Sequence, residues 1–87
     1  YINMTEVVEN GGNILLEEST ETVYSCEKLC DYTDGCASFK YCKDRDPTER
    51  NCFLSDQTLS GNEPTILVEH CASYYSDGIH IYYYMMW

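Results

Sequence analysis

The chain has 87 residues, enough for one domain, and a domain of this size buries only about 60% of the surface that its unfolded form exposes. Five basic and 15 acidic residues give a formal net charge of −10 at pH 7. A chain of this charge is repelled by nucleic-acid backbones and by anionic membrane surfaces, and none of its apolar runs approaches the roughly 20 residues of a transmembrane helix. We therefore expect a single domain over residues 1–87, no nucleic-acid partner and no membrane span.

Six cysteines in so short a chain predict a disulfide framework and an oxidising, extracellular compartment. They are Cys26, Cys30, Cys36, Cys42, Cys52 and Cys71. Their spacing lacks the Cys-x2-Cys pairs of structural zinc sites, so we expect no metal and no cofactor. Asn3-Met4-Thr5 is a sequon for N-glycosylation, a modification of the secretory lumen, which makes Asn3 a candidate site. Both features predict a secreted protein.

The first 18 residues are typical of two short strands separated by a turn. Met4 to Val8 is rich in residues with β propensity, Asn10 to Asn13 is a turn cluster, and Ile14 to Leu16 is a short apolar run. We expect a strand on each side of the turn.

One amphipathic helix of about ten residues is predicted next. Ser19 to Thr22 supplies candidate N-caps, and Glu21 is expected in the first turn, where its charge suits the helix dipole. Val23, Cys26 and Cys30, with Leu29 one step round, form an apolar stripe at helical spacing. The pair Asp34-Gly35 is expected to end the helix, and both cysteines are expected on its packed side.

The rest of the chain predicts an antiparallel sheet. Alternating or β-rich segments occur at residues 37–42, 52–55 and 65–68, with a charged loop after the first of them. A hairpin is predicted from Cys71 to Tyr84, because Asp77-Gly78 is a two-residue turn signal between β-rich arms. The expected fold class is α+β, with one helix packed on a small curled antiparallel sheet and cross-linked by disulfides.

The order of these features resembles the PAN/apple domain family. The similarity rests on a helix with two cysteines four apart, Cys26-Glu-Lys-Leu-Cys30, on Cys36 leading into the aromatic strand Ala37-Ser-Phe-Lys-Tyr41, and on Asn51-Cys52-Phe-Leu-Ser55. It covers residues 14–60, about half of the chain. The resemblance implies a disulfide-linked extracellular module that binds proteins or glycans without catalysing a reaction.

The resemblance also implies two disulfides, Cys26–Cys52 and Cys30–Cys36, which hold the helix on the sheet. Cys42 and Cys71 are then left to each other, within one chain or between two, and this pair departs from the family. Apple domains proper join their N-terminal and C-terminal strands by a bridge, and no cysteine precedes Cys26 to form one. A simpler PAN variant therefore fits the cysteine pattern better.

Catalysis has little support in the sequence. The two histidines, His70 and His80, are the only candidates for the base of a hydrolytic triad, and no Gly-x-Ser-x-Gly motif accompanies them. The pair Asp44 and Asp46 lacks the glycine and closing glutamate of an EF-hand calcium loop. We expect no enzyme and no catalytic residue.

Two groups of residues are candidates for ligand binding. The first comprises the basic residues Lys40, Lys43 and Arg45, although acidic neighbours and the charge of −10 disfavour a sulfated polysaccharide and leave a neutral glycan or a protein open. The second is aromatic, because tyrosine and tryptophan contribute strongly to interfaces and also stack on sugar rings. Its members are Tyr74, Tyr75, Tyr82, Tyr84 and Trp87.

The last nine residues favour a second hypothesis. Ile79 to Trp87 is β-prone and ends on six consecutive large residues, so this segment is an aggregation hazard unless it is covered. One hypothesis is an extracellular binding module for a protein or glycan. The alternative is a structural subunit of an extracellular filament or matrix, in which Ile79–Trp87 pairs with a neighbouring copy by β-augmentation.

Overall fold

The computed structural model describes residues 1–9, 12–46 and 48–76. Within these ranges the chain forms one helix and seven strands. In chain order they are β1 (Ile2–Asn3), β2 (Val7–Val8), β3 (Ile14–Glu18), α1 (Val23–Tyr32), β4 (Ser38–Cys42), β5 (Cys52–Ser55), β6 (Thr65–Ile66) and β7 (Cys71–Tyr75). The helix, the antiparallel sheet and the disulfides confirm the predicted α+β fold class.

The helix begins where the hydroxyl-rich segment predicts. Thr22 is the N-cap, with extended backbone, and its Oγ1 accepts a hydrogen bond of 3.1 Å from the backbone N–H of Ser25. Glu21 precedes the cap, so the prediction that it lies in the first turn was wrong. The helix ends at Tyr32, three residues before Gly35, whose φ of +83° is the left-handed conformation expected of a glycine after a helix.

Three disulfides join all six cysteines: the two pairs that the resemblance implies, and the pair of Cys42 and Cys71 that was left over. Cys26–Cys52 ties the helix to β5, and Cys30–Cys36 ties it to the segment that enters β4. Cys42–Cys71 joins two residues that lie directly opposite each other in β4 and β7, within one chain. Each bridge therefore ends on, or next to, one of the three central strands.

Five of the strands form one antiparallel sheet in the order β1-β7-β4-β5-β3. Phe39 lies opposite Leu54 on one side and Tyr74 on the other, and these three residues share the face that packs against the helix. Phe39 and Leu54 are almost fully buried, as are the helix cysteines Cys26 and Cys30. The predicted apolar stripe of the helix is thus the stripe that meets the sheet.

The other face of the sheet is partly covered by a two-stranded ribbon. Its strands β2 and β6 are antiparallel, with Val7 opposite Ile66. Val7 packs beside the Cys42–Cys71 disulfide, and the backbone N–H of Val8 donates a 3.0 Å hydrogen bond to Ser73 Oγ. The ribbon gives the protein a second, smaller apolar cluster behind the sheet.

Several strand predictions needed correction. The segment Met4 to Val8 is interrupted at Thr5, whose φ of +66° turns the chain, so strands lie on both sides of this residue instead of running through it. The strands expected on each side of the turn cluster are β2 and β3, which belong to different sheets and pair with β6 and β5 respectively. The strand expected at residues 65–68 ends at Ile66. The first arm of the predicted C-terminal hairpin is β7, and its turn and second arm lie outside the described residues.

Candidate functional site

A groove of about 1080 Å³ lies where the C-terminal end of α1 meets β1 and the end of β7. Three tyrosines from separate parts of the chain, Tyr1, Tyr32 and Tyr75, contribute to its lining, and so do the carboxylates Asp31 and Asp34. Its volume is comparable to the roughly 300–1,000 Å³ of typical ligand-binding clefts. Aromatic rings beside carboxylates are able to bind a sugar or a peptide side chain.

The helix end forms a firmly held wall of this groove. The backbone N–H of Thr33 donates to the carbonyl of Cys30 at 3.2 Å, and its Oγ1 donates to the carbonyl of Leu29 at 2.7 Å. The Cys30–Cys36 disulfide fixes the turn that follows. Tyr32 projects from this rigid end and is 84% exposed. The wall therefore presents an aromatic ring without depending on the ring for its own stability.

Tyr1 forms another wall and connects the groove to the core. Its hydroxyl donates a 2.5 Å hydrogen bond to Asp31, and its ring meets the ring of Phe39 edge-on at 5.1 Å between centroids. Burial first, and then the hydrogen bond and the negative charge of Asp31, raise the pKa of Tyr1 well above its usual range. Lys28 Nζ lies 3.8 Å from Asp31. Asp31 is consequently engaged from two sides.

The third wall is a loop closed by Glu63. The carboxylate accepts hydrogen bonds from the backbone N–H of Ser60 at 2.8 Å and from that of Gly61 at 2.9 Å. These bonds, led by that from Ser60, lower the pKa of Glu63 to about 2. Gly61 has a φ of +95°, and a Cβ there would lie 2.6 Å from the hydroxyl of Tyr75. The loop and Tyr75 are therefore packed together at the groove.

The aromatic residues predicted to bind a ligand lie in different environments. The ring of Tyr74 stacks on Phe39 at 4.9 Å, so it packs against the core. Burial, and then the neighbouring Tyr41, raise the pKa of Tyr74. Tyr75 lines the groove. Tyr82, Tyr84 and Trp87 lie outside the described residues.

The basic residues lie elsewhere. Lys40 is on the sheet face opposite the helix, with Nζ 4.3 Å from the centroid of the Phe53 ring, and the Arg45 guanidinium carbon is 5.7 Å from the same ring. Burial, and then the positive charge of Arg45, lower the pKa of Lys40. Arg45 also donates to the carbonyl of Arg50 at 2.7 Å. Lys43 is exposed. The structure thus brings two of the three predicted cations together over one ring, away from the groove.

The remaining polar candidates form no catalytic or metal-binding arrangement among residues 1–9, 12–46 and 48–76. His70 is half exposed, with Nδ1 3.6 Å from Asp44 and Nε2 3.4 Å from Glu69. In the described part of the chain, no three histidine, cysteine, aspartate or glutamate side chains converge as metal ligands would. His80 lies outside the described residues.

The sequon asparagine is accessible on the edge strand β1. Asn3 is exposed, and its Oδ1 accepts a 2.8 Å hydrogen bond from the backbone N–H of Thr5. Its neighbour Ile2 lines the groove. A sugar on Asn3 would therefore stand beside the groove.

Sequence reasoning missed several groove residues, among them Tyr1, Asp31, Tyr32 and Asp34. Tyr32 carries a signal in its position, because it lies off the apolar stripe of the helix and a large aromatic residue there has no core to fill. The others carry none, since Tyr1 is 30 positions from Asp31 and 33 from Asp34 in the sequence, and only the fold brings them to one groove.

Comparison with known proteins gives a family for the whole arrangement. Neither the curated proteins nor the solved structures include a significant match. The ten-residue α1 is the only helix in the described part of the chain, and it lacks the length and apolar character needed to cross a membrane. The family model of the PAN domain matches residues 2–79. With the helix, sheet and disulfides described above, this match shows that the chain belongs to the PAN domain family, whose members are extracellular, non-catalytic modules that bind proteins or carbohydrates.

Proposed function

We propose that this chain is a secreted, non-catalytic binding module and that it holds its protein or glycan ligand in the groove at the end of α1. The support comes from the family, whose members generally bind proteins or carbohydrates, and from three disulfides, which suit an oxidising compartment. The proposal goes beyond the family in assigning the ligand to one surface of this chain.

The observation that carries this proposal is the exposure of Tyr32 in a groove that already exists without a ligand. The ring is 84% exposed at the end of a helix that two disulfides hold. A large aromatic side chain on a rigid support loses little conformational freedom on binding, which favours affinity. Tyr1 and Tyr75 add two further rings to the same groove.

The basic cluster at Phe53 supports ligand binding less well. Lys40 and Arg45 are both drawn over the ring, and Arg45 is further occupied by the carbonyl of Arg50. A ligand anion would have to displace these contacts, and it would approach a chain whose net charge is −10. The groove is therefore the better candidate.

The experiment compares two exposed tyrosines of the same helix. Intact protein, Tyr32→Ala and Tyr24→Ala are applied to an array of neutral and sulfated glycans and to a display library of random peptides. Tyr24 is 61% exposed but does not line the groove, so its replacement is the matched control. We expect ligands of the intact protein to be lost by Tyr32→Ala and retained by Tyr24→Ala. Equal binding by all three proteins would contradict the assignment of the groove.

We also propose that Asn3 carries an N-linked glycan. The support is the exposed side chain in a sequon at the edge of the sheet. Mass spectrometry of protein secreted by a eukaryotic host should show a glycan mass that peptide N-glycosidase removes, and that Asn3→Gln lacks. An unmodified Asn3 peptide from that host would contradict the proposal.

A second candidate function is self-assembly, favoured by the edge strand β3. Its side chains Ile14 and Leu15 are 52% and 40% exposed at one end of the sheet order. An exposed apolar edge is a template for a further strand. The segment Ile79–Trp87, proposed to supply that strand, lies outside the described residues.

A further inference from the structure

Resting on the proposed function, we infer that the groove at the end of α1 binds a lysine or arginine side chain from a peptide segment of a protein partner. The positive group would lie near Asp34 and the ring of Tyr32. The inference narrows the ligand from a protein or glycan to a basic peptide.

The first support is the unbalanced carboxylate of Asp34. Lys28 and Asp31 also line the groove, but they face each other at 3.8 Å, and Asp31 accepts the hydroxyl of Tyr1 as well. Asp34 is exposed and has no hydrogen-bond or ion-pair partner among the described residues. A ligand cation is the group that would complement this remaining negative charge.

The helix itself adds a second electronegative contribution. The last turn of α1 contains no basic residue, and it ends at the groove with Tyr32. The carbonyl groups at the C-terminal end of a helix carry partial negative charge and favour cations. Helices commonly receive such a cation from their own lysine or arginine. Because the last turn of α1 has no lysine or arginine, the position beside its C-terminal carbonyl groups is open to a cation of the ligand.

The tyrosines supply the third element, an aromatic surface for the positive group. Cations are attracted to the faces of aromatic rings, most strongly when both groups are shielded from water. The helix already makes such a contact about two turns before Tyr32, where Lys28 Nζ lies 5.3 Å from the centroid of the Tyr24 ring. Tyr32 lies one turn after Lys28 and interacts with its charge, but no cation of the described residues lies over the Tyr32 ring, which is 84% exposed and accessible to a cation of the ligand.

These features favour a basic peptide over the alternatives. A neutral sugar would stack on the rings but would not compensate the negative charge of Asp34 or the partial negative charge at the helix end. A sulfated glycan would be repelled by both of these charges. The charge of −10 over the whole chain also attracts a basic partner and speeds its encounter with the groove.

The test uses four acetylated, amidated octapeptides that alternate glycine with lysine, arginine, norleucine or glutamate. Each is titrated into the isotopically labelled intact protein while backbone amide signals are recorded by nuclear magnetic resonance. Lysine and arginine peptides should shift the amide signals of Tyr32, Asp34 and Gly35. Norleucine, which keeps the aliphatic chain of lysine without its charge, and glutamate should not.

Two variants then separate a site from general attraction to an acidic protein. Asp34→Asn removes a charge at the groove, and Glu21→Gln removes one before the opposite end of the same helix. We expect Asp34→Asn to weaken binding of the lysine peptide about fivefold, and Glu21→Gln to change it by less than about twofold, because exposed charges are screened over roughly 8–10 Å. Equal weakening by both variants would overturn the inference.

The outcomes distinguish this inference from the function on which it rests. If a glycan alone shifts the groove signals, and Tyr32→Ala abolishes that shift, the binding module stands and the basic peptide is wrong. If basic peptides shift signals only outside the groove, the inference is wrong as well. If Tyr32→Ala leaves the binding of every ligand unchanged, the proposed binding site itself fails.

Discussion

Single side chains hold the walls of the groove, and Glu63 is the clearest case. Its carboxylate receives the backbone N–H groups of Ser60 and Gly61, so one ionised residue replaces the regular hydrogen bonding that this loop lacks. Ser60 in turn lines the groove. The protonation state of Glu63 therefore bears directly on the shape of the binding surface.

This contact predicts an acid-dependent change in the loop. The pKa of Glu63 is lowered from 4.5 to about 2 in the folded protein, so its contribution to stability is complete above pH 4.5 and is lost as pH falls through 2. Amide signals of Ser60 and Gly61 should titrate with a midpoint near pH 2. Glu63→Gln should abolish that titration, and a midpoint near 4.5 in the intact protein would contradict the hydrogen bonds.

At the level of elements, the helix depends on its N-cap. Thr22→Ala removes the acceptor of the Ser25 N–H and should lower the free energy of unfolding by about 1 kcal/mol. Thr22→Ser keeps a hydroxyl and serves as the control, with a loss of a few tenths of a kcal/mol at most. Urea unfolding followed by circular dichroism measures both. Equal losses in the two variants would show that the hydroxyl does not cap the helix.

The elements that the sequence predicted well are those with a local cause. The cap at Thr22, the stripe of Cys26 and Cys30 and the alternation around Phe39 each require only neighbours in sequence. Strand order required more, because β1 pairs with β7 across about 70 residues and Thr5 interrupts the first strand by its backbone conformation. Two of the disulfide pairs came from the family resemblance and the third from the two cysteines that remained, and the groove exists only after all its walls have folded together.

For the whole molecule, the disulfides should decide whether the fold persists. In the chain-entropy model, a loop the length of Cys26–Cys52 contributes about 3.5 kcal/mol, and one the length of Cys30–Cys36 about 2.4 kcal/mol. Together the bridges are comparable to the entire stability of a small domain, roughly 5–15 kcal/mol. Full reduction should therefore unfold the protein.

The two helix bridges allow a graded version of this experiment. Replacing both Cys26 and Cys52 by alanine should cost about 1 kcal/mol more than replacing both Cys30 and Cys36, because the first bridge closes the longer loop. Urea midpoints of the two double variants give the comparison. In the experiment with full reduction, a cooperative melt that is the same with and without reductant would contradict the stabilising role of the bridges.

Self-assembly is also a question for the whole molecule. Replacing Met85, Met86 and Trp87 by serine keeps the chain length but removes the apolar end. If the chain is a self-assembling subunit, sedimentation velocity should show multimers of the intact protein and monomers of the variant. A monomeric intact protein at high concentration would leave the binding module as the sole candidate.

That residues 1–87 form one domain remains a prediction, which cooperative unfolding of the full chain would support.

The covalent links lie on the central strands of the sheet and the helix, while β1 and β3 at its edges are held by backbone pairing and side-chain packing. Resistance to local opening should therefore decrease from the middle of the sheet outwards. Deuterium should enter the amides of β1 and β3 without unfolding of the rest, whereas those of β4 should exchange only through global unfolding. Because Ile2 of β1 lines the groove, a bound peptide should slow exchange in β1 more than in β3.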